Sequence, residues 1–407
     1  MSQKRVFPVL FATLMLDMIG VGMLVPILPI IFTDPTSPSY LLHGYSQFGQ
    51  YAVTGLITAI FGLMQFIAAP ILGELSDAFG RKKLLALGVG TLAISQMLFG
   101  FGIAISSLAL LFVSRAIAGL AGANFSIAQA AIADVTEPKD RAKNFGLIGA
   151  AFGLGFIFGP VLGGLIAEFT HMASAPFFFA GILGILNLIF ISLFLPETRK
   201  GHGEHTFHLL KGIHHIEQAI KDKDAGPVYL SNFLYWSGFA FFTTFIGILL
   251  VRYGFTEAGI GTFFGVVGAW VVVTQLFILR LVSKHYSEAK TLKVSILVVA
   301  FAIFAYPFMP NAIGLYVLLP VLAIPQGLTM AMLGALVSKS VGPERQGTAL
   351  GINGSLLALA QGAMPIVAGG LSGVMGIEAS FIAGGFLVVS AWAVLFMRAQ
   401  RRAWSAV

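Results

Sequence analysis

The chain has 407 residues, of which 57% are hydrophobic and 10% are charged. Soluble globular proteins carry about 25% charged residues, so this composition excludes a soluble enzyme and a soluble nucleic-acid-binding protein. A mean hydropathy of +0.91 indicates instead a protein that crosses a lipid bilayer many times. Cysteine is absent, so the chain has neither disulfides nor thiolate chemistry.

Twelve apolar runs are long enough to cross a membrane as helices, which takes about 20 mostly apolar residues each. We therefore predict an all-α membrane protein with twelve transmembrane helices. The predicted spans are 7–31, 49–73, 84–105, 107–132, 144–167, 175–195, 228–250, 258–279, 292–309, 313–337, 348–371 and 377–398.

Basic residues are concentrated on one side of the predicted membrane. Twenty-two of the 24 Lys and Arg residues precede span 1, follow span 12 or lie in the loops after even-numbered spans. Cytoplasmic loops carry such an excess, so both termini are predicted to be cytoplasmic. The two exceptions are Arg252, in a loop on the opposite side, and Arg115, inside span 4. The basic charge is thus a topology signal, and we expect no nucleic-acid partner.

One long polar stretch divides the spans into two groups of six. We predict an N-terminal six-helix bundle at 1–196, a cytoplasmic linker at 197–227 and a C-terminal six-helix bundle at 228–407. A segment at about 206–221 is predicted to be a short amphipathic helix on the membrane surface. The linker holds five histidines whose spacing is not that of a compact zinc site, so we expect no metal there; metal regulation is the alternative.

The two groups of six spans also repeat each other in sequence. Four Pro or Gly positions of the first half recur 205 residues later in the second half. They are Pro138, Gly146, Pro160 and Gly164, repeated as Pro343, Gly351, Pro365 and Gly369. Parallel repeats of this kind are typical of transporters in which two bundles rock around a central site.

The loop between spans 2 and 3 carries the strongest local motif, GELSDAFGRKK. We expect Gly73 to let a neighbouring helix approach closely and Gly80 to supply the freedom that a tight turn needs. Arg81 can pair with Asp77 and with Asp134 at the end of span 4. Such a cluster would hold a cytoplasmic gate shut. A turn with a positively charged cluster is the alternative interpretation.

Span 5 contains a second motif, GFIFGPVLGG. Gly155, Gly159 and Gly163 follow one another at four-residue spacing, which lets helices pack closely in lipid. Pro160 removes a backbone hydrogen bond and bends the helix, and Gly164 adds a further small residue. A generic glycine-packed helix is the alternative.

Two ionisable residues lie well inside the predicted spans, Asp17 in span 1 and Arg115 in span 4. A charge at that depth costs at least about 2.5–3.5 kcal/mol on the insertion scale, so a functional role is the default expectation. Asp17 could load a proton on one side of the membrane and release it on the other. A static Asp17–Arg115 pair that ties two helices together is the alternative.

Polar and aromatic residues within the spans are candidates for contacts with a substrate in a central cavity. Each of them can equally form a hydrogen bond between helices. The candidates are Gln65, Asn124, Gln129, Asn232, Tyr235, Trp236, Trp270, Gln275, Gln326, Asn353 and Gln361.

Taken together, these motifs resemble a known family. The loop motif GELSDAFGRKK matches the signature loop of the major facilitator superfamily. Further segments resemble its drug/proton antiporter branch, above all the tetracycline/proton antiporters. These are LDMIGVGMLVPILP at 16–29, RAIAGLAGA at 115–123, IADVT at 132–136, LPET at 195–198 and ERQG at 344–347.

The resemblance implies two six-helix bundles, alternating access and export of a small organic compound driven by proton entry, in a bacterial inner membrane. It implies no cofactor, and we expect a monomer. In that superfamily the span 5 motif marks exporters that exchange substrate for protons. The alternatives are a facilitator or proton symporter that imports a nutrient, and a membrane receptor that kept the fold without transporting.

The sequence departs from the tetracycline exporters in three spans. Those proteins carry further acidic or His residues in spans 3, 8 and 9. Here span 3 offers Ser95 and Gln96, span 8 offers Trp270 and Gln275, and span 9 has neither an acid nor His. The departures argue against tetracycline itself as the substrate and leave the proton stoichiometry open.

Overall fold

The structure is a computed structural model, and it describes residues 3–122, 124–136, 141–199, 225–340 and 346–399. These residues form helices joined by short loops, and no strand occurs among them. Within these described ranges, twelve helical segments are long and apolar enough to cross a membrane, and each coincides with one predicted span. The prediction of a twelve-span all-α membrane protein is therefore confirmed, whereas the cytoplasmic placement of the termini stays a prediction.

The helices follow one another with short connections. Spans 1 to 6 are formed by Gln3–Gly22 with Leu24–Thr33, Gln47–Phe79, Arg81–Ala104, Leu108–Ala121 with Asn124–Val135, Arg141–Thr170 and Ala175–Phe194. Spans 7 and 8 are formed by Gly226–Arg252, and by Glu257–Val273 continued through a π-helical turn, Thr274–Ile278, into Leu279–His285. Spans 9 to 12 are formed by Glu288–Ala305 with a 3-10 turn, Tyr306–Phe308, and by Ala312–Lys339, Gln346–Met375 and Ile377–Ala399.

Two spans have irregular backbone for identifiable reasons. Span 1 is interrupted at Met23. Pro26 has no N–H to donate to the carbonyl four residues earlier, at Gly22, so regular helix hydrogen bonding fails there. Span 8 contains the π-helical turn, which lies beside span 10: the Nε2 of Gln275 donates to the Gly327 carbonyl at 3.1 Å. Single π-turns of this kind are often found at functional sites.

Large apolar side chains cover the outside of the helices. Phe101, Leu193 and Val317, for example, are between 51% and 70% exposed. Because water would penalise such surface, these side chains are the ones that face lipid tails. Between helices, packing in a membrane depends on close backbone approach rather than on burial of apolar surface, which accounts for many of the 48 glycines.

The chain divides into two compact units. The first contains Met1–Gly44, Leu63–Leu209 and Gly254–Gly268. The second contains Tyr45–Gly62, Leu210–Tyr253 and Ala269–Val407. The predicted boundaries of the two bundles at 196 and 228 stay a prediction. The amphipathic segment at 206–221, the linker histidines, Pro138 and Pro343 lie outside the described residues.

Candidate functional site

Asp17 is buried in the first unit, with 6% of its surface exposed. The Nδ2 of Asn124 in span 4 donates to one carboxylate oxygen at 2.9 Å, and the Nδ2 of Asn187 in span 6 donates to the other at 3.3 Å. The orientation of Asn187 is fixed in turn, because its Oδ1 accepts from the Thr13 hydroxyl at 3.2 Å. Two uncharged amides from two helices therefore hold this carboxylate.

Close packing around Asn124 explains why its amide reaches Asp17. A Cβ added to Gly88 in span 3 would lie 2.0 Å from the Asn124 Oδ1, so only glycine leaves room for that side chain. Gln96, also in span 3, contacts span 1 at Gly20, about one helical turn after Asp17. Its Nε2 would lie 3.4 Å from a Cβ added to Gly20. The carboxylate is thus held by amides of spans 4 and 6, while Gln96 of span 3 packs on span 1 nearby.

Arg115 is also buried, with 8% of its surface exposed, and it lies nine residues before Asn124 in span 4. Both hydrogen bonds to the Asp17 carboxylate come from amides. The static Asp17–Arg115 pair, which the sequence left open as the alternative, stays an untested prediction.

Arg81 is the centre of a charged cluster at the other end of these helices. Its Nη2 lies 2.5 Å from Asp77, and its Nε lies 3.2 Å from the Oδ2 of Asp134. The Nη1 donates to the Ser76 hydroxyl at 2.5 Å, and the arginine side chain is only 7% exposed. The structure thus brings together the three charged residues that the sequence assigned to the gate, although their gating role stays a prediction.

Glu197 belongs to the same cluster, although it was predicted to be the first residue of the linker. Its carboxylate accepts from the backbone N–H of Arg81 at 2.9 Å and from that of Lys82 at 3.2 Å. These are first-turn N–H groups of span 3, which have no partner within the helix, so Glu197 caps the helix and opposes its dipole. The signal in the sequence was an acid directly after the apolar end of span 6.

The two glycines of the loop motif have different environments. Gly80 has a φ of +99°, and a Cβ there would lie 2.4 Å from the Oε2 of Glu197, so both its conformation and its space require glycine. Gly73 does not confirm the expected close approach. Among the described residues, no atom lies within 4 Å of a Cβ added at Gly73, because its missing side chain points into open space.

The small residues of span 5 pack on two different neighbours. A Cβ added to Gly155, Gly159 or Gly163 would come within 2.3–2.7 Å of atoms at residues 18–23 of span 1. A Cβ added to Gly164 would instead lie 2.2 Å from the carbonyl oxygen of Glu257, at the start of span 8. The motif is thus a two-sided packing surface.

Many of the candidate substrate contacts form hydrogen bonds within the protein. Asn232 donates to Asn353, Tyr235 to Gln326, Gln65 to the Gly122 carbonyl and Gln275 to the Gly327 carbonyl, while Asn124 binds Asp17. For the side chains of Gln129, Trp236, Trp270 and Gln361, the part of the chain that the structure describes provides no hydrogen-bond partner. Gln361 is exposed and the other three are half-buried.

The twelve helices of the described residues that are able to cross a membrane define a polytopic membrane protein. The chain belongs to the Major Facilitator Superfamily, whose family model matches residues 10–360 and 229–406. The family resemblance of the sequence motifs is therefore confirmed.

Known proteins similar to this chain include several resistance proteins. Tetracycline resistance protein, class H, of Pasteurella multocida is 29% identical over 88% of this chain and 85% of its own length. Multidrug resistance protein 2 of Bacillus subtilis (strain 168) is 26% identical over 95% of this chain and 94% of its own length. Among solved structures, the human organic anion transporter MFSD10 (TETRAN) is 25% identical with a TM-score of 0.73, covering 97% of this chain and 100% of that one.

Proposed function

We propose that this protein is a secondary active transporter that exports a small organic compound in exchange for protons, by alternating access. The observation that carries the proposal is Asp17, a carboxylate buried inside a membrane span and held by two neutral amides. An acidic side chain inside a membrane span costs free energy, and acids in that position mark sites of ion or proton movement. The names of the tetracycline and multidrug resistance relatives support an organic substrate and the outward direction.

The surroundings of Asp17 suit a group that gains and loses a proton. An ionised carboxylate only accepts hydrogen bonds, whereas the protonated acid also donates one and needs an acceptor. The Oδ1 of Asn124 is buried and has no hydrogen-bond partner among the described residues. A turn of the Asn124 amide would present that oxygen to the protonated acid. One side chain can therefore satisfy both states of Asp17, and we assign the proton-carrying role to this pair.

We further propose that Arg81, Asp77, Asp134 and Glu197 form the cytoplasmic gate. Their contacts tie the ends of spans 2, 3, 4 and 6 together within the first unit. Arg115, buried in span 4, would couple the proton to the substrate. The chain would lie in a bacterial inner membrane as a monomer, with both termini in the cytoplasm.

The substrate is proposed to be an amphipathic compound with an aromatic part. Within the second unit, Trp236 and Trp270 offer aromatic surface, and Gln361 offers an amide group that the described structure leaves unused. Trp236 also extends a row of rings in span 7, since it contacts Tyr235 and Phe239 edge-on at 5.8 Å. Sites of this composition hold ligands by apolar contact and orient them through a few polar groups.

The test uses purified protein in proteoliposomes with a pH-sensitive dye and an imposed proton gradient. Lipophilic cations, tetracyclines, fluoroquinolones and sugars are added in turn to the wild type, to Asp17→Asn and to the matched control Asp34→Asn. Asp34 is an acid just after span 1 whose carboxylate accepts from Thr36 in a turn. We expect substrate-dependent proton flux in the wild type and the control, and its loss in Asp17→Asn.

The same measurement separates the alternatives. Proton movement in the same direction as the substrate would indicate a symporter, and counterflow that persists in Asp17→Asn without proton movement would indicate a facilitator. Binding of a compound without any vectorial movement would indicate a receptor. Substrate-dependent proton flux that is equal in Asp17→Asn and the wild type would remove Asp17 from the mechanism.

A further inference from the structure

Four exposed basic side chains lie at one end of the second unit, where span 8 ends and span 9 begins. They are Arg280, Lys284, Lys290 and Lys293. The stretch 280–293 holds one acid, Glu288, and that acid pairs with Lys339 of span 10 at 2.8 Å. None of the four basic groups forms an ion pair with a carboxylate of the described residues. The described part of the chain therefore leaves a concentrated positive charge at this end.

The loop at the same place in the first half uses its basic residues differently. Between spans 2 and 3, Arg81 is bound by Asp77 and Asp134. The Nζ of Lys82 donates to the Ser192 carbonyl at 2.8 Å. These two cations are engaged within the first unit, whereas the four at spans 8 and 9 are exposed. Charge complementarity therefore points to an anionic partner outside the chain.

Exposed apolar side chains adjoin the basic residues of span 8. Phe277 and Leu281 are each 63% exposed, as expected of side chains that contact lipid tails. Arg280 follows Phe277 by three residues, and Lys284 follows Leu281 by three residues. Residues three apart lie on the same face of a helix, so each basic group adjoins a lipid-facing side chain.

Span 9 has the same arrangement. Lys290, Lys293, Leu297 and Phe301 follow one another at spacings of three, four and four residues, which places them on one helix face. All four side chains are exposed. Lys293 and Phe301 are eight residues apart, which corresponds to about 12 Å of helix. In both spans, basic groups at the end of the helix thus give way to apolar surface further into the membrane.

Two aromatic residues contact this group of basic residues. The Nζ of Lys290 lies 4.8 Å from the centre of the Tyr286 ring. The indole Nε1 of Trp392 in span 12 donates to the Lys293 carbonyl at 3.0 Å. Tyr and Trp are enriched where a membrane meets water, because each combines an apolar ring with a polar group. They indicate independently that this end of the helices lies at the level of the lipid headgroups.

We infer that Arg280, Lys284, Lys290 and Lys293 form a binding site for an anionic phospholipid. The basic groups bind the headgroup phosphate, and the acyl chains lie along the exposed apolar side chains of spans 8 and 9. A soluble anion would match the charge alone, whereas a phospholipid matches both the charge and the adjoining apolar faces. The inference requires the membrane-spanning helices but neither the proposed substrate nor the proton role of Asp17.

The first test measures lipid binding beside Lys293 in the full chain. Trp392 is kept as the only tryptophan by three substitutions, Trp236→Phe, Trp270→Phe and Trp404→Phe. This parent protein is reconstituted in vesicles of phosphatidylcholine and phosphatidylglycerol. In paired samples one lipid or the other carries bromine atoms, which quench tryptophan fluorescence on contact. The ratio of the two quenching curves gives the preference for the anionic lipid next to Trp392.

We expect the parent protein to prefer phosphatidylglycerol. A basic residue near an anionic surface contributes about a five-fold preference, so Lys293→Gln should lower it about five-fold. Lys293→Arg keeps the charge and should keep the preference. The variant in which all four basic residues are changed to Gln should lose it. The matched control is Lys83→Gln, which removes an exposed lysine from the loop between spans 2 and 3 and should leave the preference unchanged.

Gel-filtration profiles that match the parent protein establish that each variant is folded. Equal quenching of the parent protein by the two lipids would overturn the site. A preference that persists in the folded four-residue variant would overturn it as well. So would a loss in Lys83→Gln as large as that in Lys293→Gln, because general attraction between basic loops and anionic lipid would then account for the preference.

The second test uses the apparent melting temperature of the wild-type chain in detergent. A lipid that binds only the folded protein stabilises it, so phosphatidylglycerol should raise the melting temperature more than phosphatidylcholine does. This difference should vanish in the four-residue variant, and inorganic phosphate at the same concentration should have no effect. Absence of the difference in the wild type would refute the site. A rise with inorganic phosphate equal to that with phosphatidylglycerol would indicate a site for a soluble anion and refute the lipid assignment.

Discussion

Replacing Glu197 by Ala removes the carboxylate that caps span 3 at the charged cluster. Its oxygens accept from the N–H groups of Arg81 and Lys82, although 116 residues of sequence separate Glu197 from Arg81. Hydrogen bonds to a charged group contribute about 1.5–3 kcal/mol each, so loss of the two bonds corresponds to about 3 kcal/mol at the lower value. Glu197→Gln keeps one carbonyl oxygen but loses the charge, so we expect about half that loss.

The assay is the apparent melting temperature of the purified protein, read together with its transport rate. We expect Glu197→Ala to melt lowest and Glu197→Gln to melt between it and the wild type. Gly80→Ala should behave like Glu197→Ala, because the added Cβ would lie 2.4 Å from the Oε2 of Glu197 and the φ of +99° is strained for alanine. Glu74→Ala, which removes a half-buried acid of span 2, serves as the control. A Glu197→Ala protein that melts with the wild type would refute the capping argument.

Three further predictions follow from the same geometry. Asp17 is the one acid in the middle of the described spans, so we expect one proton per substrate, and a pH difference of two units should sustain about a 100-fold gradient of a neutral substrate in proteoliposomes without a membrane potential. A substrate gradient clearly above 100-fold would require a second proton site. Gly88→Ala places a Cβ 2.0 Å from the Asn124 Oδ1 and should reduce substrate-driven proton flux as far as Asn124→Ala does. Gly164→Ala overpacks the contact with span 8 and should cost about 1–3 kcal/mol, seen as a lower melting temperature. Gly351→Ala, at a glycine with open space around it, is the control for both and should change neither reading.

The twelve spans could be predicted from the sequence because each is a local property. An apolar run of about 20 residues indicates a spanning helix whatever it packs against. The pairing of Arg81 with Asp77 was accessible for the same reason, since the two residues lie four positions apart on either side of the turn at Gly80. The interruption of span 1 at Met23 is also local, and Pro26 is its visible cause, although span 1 was predicted as one helix.

The parts of the site that escaped prediction depend on contacts distant in the chain. Asn187 lies 170 residues after Asp17, and no periodicity connects them. The available signal was the single amide side chain in span 6, since isolated amides in spans usually have a partner. Asn124 was noticed only as a possible substrate contact. The error at Gly73 has the same origin, because a glycine shows that a close approach is possible and only the fold shows whether a neighbour is there.

The packing of span 5 supports the proposed exchange of substrate for protons. Its row of Gly155, Gly159 and Gly163 packs directly on the part of span 1 that follows Asp17, and the adjacent flank packs on the first turn of span 8. Because backbone meets backbone on both faces, a displacement of span 1 cannot be absorbed by a change of side-chain rotamer. We therefore expect a rearrangement around Asp17 to reach span 8 or to be resisted by it. An antiporter needs such a linkage, since its binding-site conformation and its proton state must change together.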